Sequence, residues 1–444
     1  MNKVSVLSAS DRQQSLQAVA LLVFLVMGLS GAVGPTLIPA IRIVFGLGLS
    51  SAMTVQWIPL VVSGLSSLIL AQLLHRFGAK AMVLGGLGLM TLGCLQVRLF
   101  ILAPLSVDVR YGLMLASLAV IALGTSVLQV AANLLVVQLG HVRKASSRLT
   151  LAQSFNSLGV LGGVSLGTNL ALGAKATSAP AMALGIGQAF SWSAAINGLV
   201  LIAAVMVGAT AWAGSRPAAP AREMPSGAMP SGGAAIRAAL GSGWALAGAG
   251  GIALYVGAEG SIGSILIPYL HQKSVLNLTL EQAGHYLGWF YWGGALAGRL
   301  AGTWLLHRWP PARMLGMAAG GAVIASALAA LGTGPVAGYA ALSIGLFNAI
   351  MFPVIFSITV ERSAAPSAAV SGLLSTAIAG GAILSVLVGW TGEHFGFGLC
   401  FVIPMLAYGL IALFAAGGAV LPSADKAPQD SRTTSSVGNL SERT

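Results

Sequence analysis

Glu259 is the only one of ten carboxylates in the sequence that falls inside a stretch apolar and long enough to cross a membrane. A charge at the middle of a bilayer costs about 2.5–3.5 kcal/mol on insertion scales, so an acid kept there marks a route for an ion, a proton or a substrate. Side-chain amides stand at helical spacing in other apolar stretches. Gln129 and Asn133 are four apart, Gln153 and Asn156 share a face with Ser157, and Asn348 lies near Phe352. An amide both donates and accepts, so several amides converging from different helices suit a hydroxyl-rich ligand. One amide alone is as well explained by an interhelical hydrogen bond. Tyr255 precedes Glu259 by one turn, and Trp289 and Trp292 have the spacing of one α-helical face. Aromatic faces stack on the C–H faces of sugars, and they also anchor helices at the lipid interface. Arg299 lies near the end of its apolar stretch, where it snorkels to the interface or pairs with Glu361 as a gate.

The elements that must position these residues are membrane helices. Only 7% of the 444 residues are charged, against about 25% in soluble domains. The mean hydropathy of +0.88 leaves no water-facing surface of ordinary size. The net charge of +12 is not a nucleic-acid footprint, because the Lys and Arg residues sit in short loops and tails between apolar runs. Cys94 and Cys400 both lie in apolar stretches, which predicts neither a disulfide nor a metal cluster. No HExxH, P-loop or GxSxG motif is present, so the sequence predicts no enzyme, no cofactor and no ATP-driven pump.

About 20 apolar residues span a bilayer. Twelve such segments can be drawn, the first over 17–38 and the last over 395–420. The fold expected is an all-α polytopic membrane protein of twelve transmembrane helices in two six-helix bundles. Residues 1–214 would form the first bundle and 241–421 the second. A Pro-, Gly- and Ser-rich linker over 215–240 would tether them, and 422–444 would be a disordered tail. LeuLeuHisArg ends the second span at Leu73–Arg76 and recurs after the eighth at Leu305–Arg308, as in an internal duplication. One set of alternate loops, with both tails, holds most of the basic residues. The other holds only Arg42, Arg98, Arg110, Lys175 and Lys273. Positive charge stays inside, so both termini are expected in the cytoplasm, with 215–240 and 422–444 on the same side. Gly159, Gly163 and Gly167, and likewise Gly294, Gly298 and Gly302, repeat every fourth residue and read as helix-packing faces.

Several longer runs carry a family resemblance. GlnValAlaAlaAsn (129–133), ArgLeuThrLeuAlaGlnSerPheAsnSerLeuGly (148–159), TyrValGlyAlaGluGlySerIleGlySer (255–264), GlyLeuPheAsnAlaIleMetPhePro (345–353) and SerGlyLeuLeuSerThrAlaIleAlaGlyGlyAla (371–382) are similar, in the same order, to the fucose/glucose/galactose proton-symporter family of the major facilitator superfamily, and most of all to its bacterial glucose/galactose branch. The resemblance implies a major facilitator fold with two pseudo-symmetric bundles, and sugar transport by alternating access, in a bacterial inner membrane. It implies that Gln129, Asn133, Gln153 and Asn156 line the sugar cavity; residue type and spacing add Tyr255, Trp289, Trp292 and Asn348 as further expected contacts. Two departures stand out. The fucose branch has carboxylates at the place of Gln129 and near Pro35, and this chain has neither. Glu259 then remains the candidate for proton coupling. The reading is a proton-coupled hexose transporter, a monomer whose partners are sugar, proton and lipid. A carrier or efflux protein for a non-sugar solute, and a passive sugar uniporter, stay open beside it.

Overall fold

The computed structural model describes residues 9–138, 145–211, 232–306 and 308–420, and among them every regular element is a helix. The first half holds α1 (Ala9–Thr36), α2 (Ile38–Phe45), α3 (Leu49–Ala52), α4 (Thr54–Ile101), α5 (Val107–Gln138), α6 (Ala145–Gly167) and α7 (Ala179–Ala211). The second half holds α8 (Gly232–Gly241), α9 (Gly243–Leu270), α10 (Leu280–Tyr286), α11 (Gly293–Leu305), α12 (Pro311–Leu331), α13 (Gly334–Asn348), α14 (Met351–Arg362), α15 (Ser367–Ala377), α16 (Gly381–Phe395) and α17 (Val402–Val420). The second and third spans run together as α4, broken at Gly78, whose φ of 75° is open to a residue without a Cβ.

Among the described residues, ten segments are long and apolar enough to cross a membrane. The fifth and eighth expected spans are not among the ten, and their composition and shape explain why. α6 carries Gln153, Asn156 and Ser157 and continues into a π turn at Thr168–Leu172. The eighth span is α10 and α11 joined through a second π turn at Leu287–Trp292. The two spans pack on each other: α6 meets the π turn at Leu287–Trp292, and α10 meets the π turn at Thr168–Leu172. With these two, the described residues supply the twelve spans. Their departures from α geometry lie where the two halves meet, and π turns are frequent at functional sites.

Bare backbone lets the helices close on each other. A Cβ on Gly159 would lie 1.9 Å from the Leu25 carbonyl of α1, and one on Gly28 would lie 2.0 Å from the Asn156 carbonyl of α6. In the second half a Cβ on Gly298 would lie 2.5 Å from the Leu346 carbonyl of α13. Both glycine repeats therefore pack helices, as their spacing predicts.

The buried apolar core has an informative shape. One cluster runs through both halves and includes Leu37, Leu49, Ile101 and Ile186 with Leu270, Leu287 and Val388. A second cluster, with Phe24, Leu87, Leu128 and Ala204, belongs to the first half alone. The halves thus share an apolar core at the end away from the termini, and nearer the other end they meet at Gly64 against Ala379 and Ser67 against Thr376. Cys94 and Cys400 are buried and free.

Within the expected linker over 215–240, Gly232–Gly241 forms α8, whose four alanines favour a helix. Residues 215–231 of that linker, and the tail over 422–444, lie outside the described residues.

Candidate functional site

A cavity of about 330 Å³ lies between the halves, within the size range of small-molecule sites. Its walls come from α1, α4, α5 and α6 on one side and from α9 and the π turn of the eighth span on the other. A larger groove of about 760 Å³ around Trp244, Arg362 and Phe414 holds neither a carboxylate nor an amide. The chemistry therefore belongs to the central cavity.

The first-half wall is neutral and hydrogen-bonding. Gln129, Gln153 and Asn156 all line it, with Thr125 and Thr36. Gln129 is exposed although it sits within a span, because it faces this cavity. Asn156 Nδ2 donates to the Phe24 carbonyl at 3.1 Å, which pins its amide to α1. Ser157 donates to the Gln153 carbonyl at 3.1 Å. Asn133, one turn beyond Gln129, is not on the wall, and its Oδ1 is buried with no partner among the described residues.

The second-half wall carries the charge. Glu259 lines the cavity, and its Oε1 has no hydrogen-bond partner among the described residues. A brace of polar side chains holds the helix at this point. The Tyr291 hydroxyl donates to the Glu259 carbonyl at 3.0 Å, and Asn348 Nδ2 donates to the Tyr291 hydroxyl at 3.1 Å. Asn348 is fully buried behind the wall, so it supports the site and does not line it. Tyr255 is likewise buried, packed against Phe352 with ring centroids 6.2 Å apart. Trp292 is on the wall, set edge-on to Tyr291 at 5.1 Å.

Two expectations are corrected here. Trp289 does not share the face of Trp292. It stands 69% exposed on the perimeter of the bundle. The cause is the π turn: its i→i+5 bonding takes more residues per revolution than the about 3.6 of an α-helix, so positions three apart diverge. Arg299 does not pair with Glu361. Its guanidinium reaches across to the first half and donates to the Ser157 hydroxyl, while its charge acts on Glu259. Glu361 is exposed in the last turn of α14. Sequence reading also missed Gln56, Thr125 and Tyr291. Gln56 and Thr125 look like isolated polar residues in apolar runs, and Tyr291 lies in the same apolar stretch as the two tryptophans.

Two pseudo-equivalent bundles thus enclose one central polar cavity. The Major Facilitator Superfamily profile matches residues 19–386. The chain belongs to that superfamily. Within it, this facilitator is 34% identical over 397 residues to a glucose/galactose transporter of Brucella abortus, covering 88% of this chain and 91% of that one. It is 28% identical over 369 residues to the L-fucose-proton symporter of Escherichia coli, covering 77% and 79%. Among solved structures, the facilitator superposes on the transporter FucP in its outward conformation with a TM-score of 0.63 at 23% identity, covering 90% of this chain and 98% of that one. On the inward-open xylose transporter XylE from E. coli the TM-score is 0.66 at 16% identity, covering 94% and 98%. These two likenesses carry the fold.

Proposed function

We propose that the protein is a secondary transporter that takes up a hexose such as glucose or galactose, coupled to protons by alternating access. The observation that carries the reading is the division of labour across one cavity. Four amides from the first half, Gln56, Gln129, Gln153 and Asn156, face the span carboxylate of the second. Amides match the hydroxyls of a sugar, which both donate and accept. Trp292 offers an apolar face beside them. The two relatives named as sugar transporters support the substrate class. Glu259 is the proton site in this proposal: it exchanges a proton with whichever side the cavity faces. The neutral first-half wall also favours a second reading, a passive hexose uniporter in which Glu259 binds sugar alone.

Under the same proposal the two bundles are 1–214 and 241–421, rocking about the cavity. The membrane is a bacterial inner membrane with both termini cytoplasmic. The shared apolar core at the end away from the termini supports a cavity turned toward the cytoplasmic side in this reading. Counterflow in reconstituted vesicles tests substrate class without assuming coupling. Exchange of D-glucose or D-galactose, with none for pentoses or unrelated solutes, is expected. Exchange of only a non-sugar solute would overturn the reading. Protease added to inside-out vesicles should cut near Arg222, and cutting only in right-side-out vesicles would reverse the topology.

A further inference from the structure

Gln56 opens the first span-forming turn of α4, and it is one of the few buried polar side chains that touch the opposite half. Its Oε1 lies 3.2 Å from the Ser264 hydroxyl of α9, whose one proton it shares with the Gly260 carbonyl at 2.8 Å. Its Nε2 lies against the bare backbone of Gly260, where a Cβ would stand only 2.2 Å away. Gly260 follows Glu259, and Gln56, Glu259 and Gly260 all line the cavity. Among the described residues Nε2 has no acceptor. The side chain therefore has two ends with different tasks: an acceptor fastened to the second half, and a donor left at the cavity wall.

Its place in the fold gives this meaning. Just beyond Gln56, at the end where the halves share a core, lie the contacts that seal them. The Ser50 amide donates to Glu393 Oε2 at 3.1 Å, and Gly284 of α10 and Gly389 of α16 abut Thr168 and Met53. Gln56 stands between that seal and the cavity. A planar amide cannot move its donor without moving its acceptor. A ligand oxygen held by Nε2 would thus steady the Oε1–Ser264 bond, and a lost ligand would loosen it.

We infer that Gln56 is a ligand-contacting clasp: it donates to a hydroxyl of the bound solute and, through Ser264, makes occupancy favour closure of the end away from the termini. The solute's being a sugar rests on the function proposed above; the clasp itself does not.

The experiment uses full-length protein with spin labels at Lys175→Cys and Lys273→Cys, two exposed positions on opposite halves near that end. Cys94 and Cys400 are buried and replaced by Ser. Label–label distances are measured with and without D-galactose and D-glucose, alongside equilibrium binding of each. Without ligand, Gln56→Ala and Ser264→Ala should both shift the population toward longer distances. With ligand, the wild type should hold the short distance, and Ser264→Ala should stay at the longer one, because the amide still binds solute and its link to α9 is gone. Gln56→Ala should also stay at the longer one, and its affinity should fall by about tenfold. Wild-type affinity in Gln56→Ala would overturn the donor role. Ligand-free distances unchanged in both variants would overturn the clasp. If the wild type binds neither sugar, the substrate reading fails, and the ligand-free distances still decide the clasp.

Discussion

The two walls of the central cavity are built from different chemistry. The first-half wall presents Gln129, Gln153 and Asn156 and no charge, and Asn156 is pinned to its neighbouring helix by a backbone hydrogen bond. The second-half wall presents Glu259, with Arg299 acting on it and with Tyr291 and Asn348 bracing its helix. Two halves of one pattern have thus specialised. A neutral amide wall recognises hydroxyls in any conformation, because its hydrogen-bonding capacity does not change with protonation. A carboxyl is different: its charge depends on which side wets it. Under the proposed function, the contrast assigns most of recognition to the first half and coupling to the second.

That separation can be broken in stages, from large effects to small. Glu259→Gln keeps shape and polarity and removes proton exchange. It should abolish pH-driven accumulation in vesicles while sugar counterflow persists. Accumulation at the wild-type level would remove Glu259 from coupling, and loss of counterflow as well would merge the two walls' roles. Gln153→Ala and Asn156→Ala should each weaken sugar binding by about 1–3 kcal/mol, the cost of leaving a buried partner unpaired, with pH dependence unchanged. A shifted pH profile in either variant would show that the first-half wall takes part in coupling.

Smaller effects test the brace and the aromatic pair. Tyr291→Phe removes the hydroxyl that joins Asn348 to the Glu259 carbonyl. A neutral hydrogen bond contributes about 0.5–1.5 kcal/mol, so coupled uptake should fall several-fold with little change in sugar affinity in counterflow. An equal loss of affinity would make Tyr291 part of the sugar wall. Last, Trp289→Ala should alter uptake and stability by no more than about 0.5 kcal/mol, as at exposed positions generally. Trp292→Ala should weaken binding clearly. Equal losses at the two positions would contradict the divergence that the π turn produces.

Much of this protein was legible in its sequence for a simple reason: hydrocarbon allows few solutions. Backbone groups in a bilayer must be paired within a helix, so apolar runs of sufficient length declare their own structure. The rarity of charge in those runs makes Glu259 conspicuous. The spacing of glycines announces helix contacts, and the amides at 129, 153 and 156 share a wall as their family likeness implies. Other features depend on distances that no local pattern encodes. Gln56 reads as one polar residue among apolar ones until α9 is brought beside it. Tyr291 and Asn348 are 57 positions apart, and only packing of the eighth and tenth spans makes them one brace.

The sequence by itself determined that the chain is a membrane bundle of helices, that it divides into two similar halves, and that one acid stands inside it. Those conclusions follow from transfer free energy, which acts residue by residue. Tertiary structure decided which polar residues meet. Trp289 and Trp292 look equivalent at α-helical spacing, yet the π turn between α10 and α11 sends one to the perimeter and the other to the cavity. Arg299 looks like an interfacial cation, yet it crosses to Ser157 and acts on Glu259. A side chain's face is set by helix winding and its partner by the approach of another helix, and both are settled only when the bundles pack.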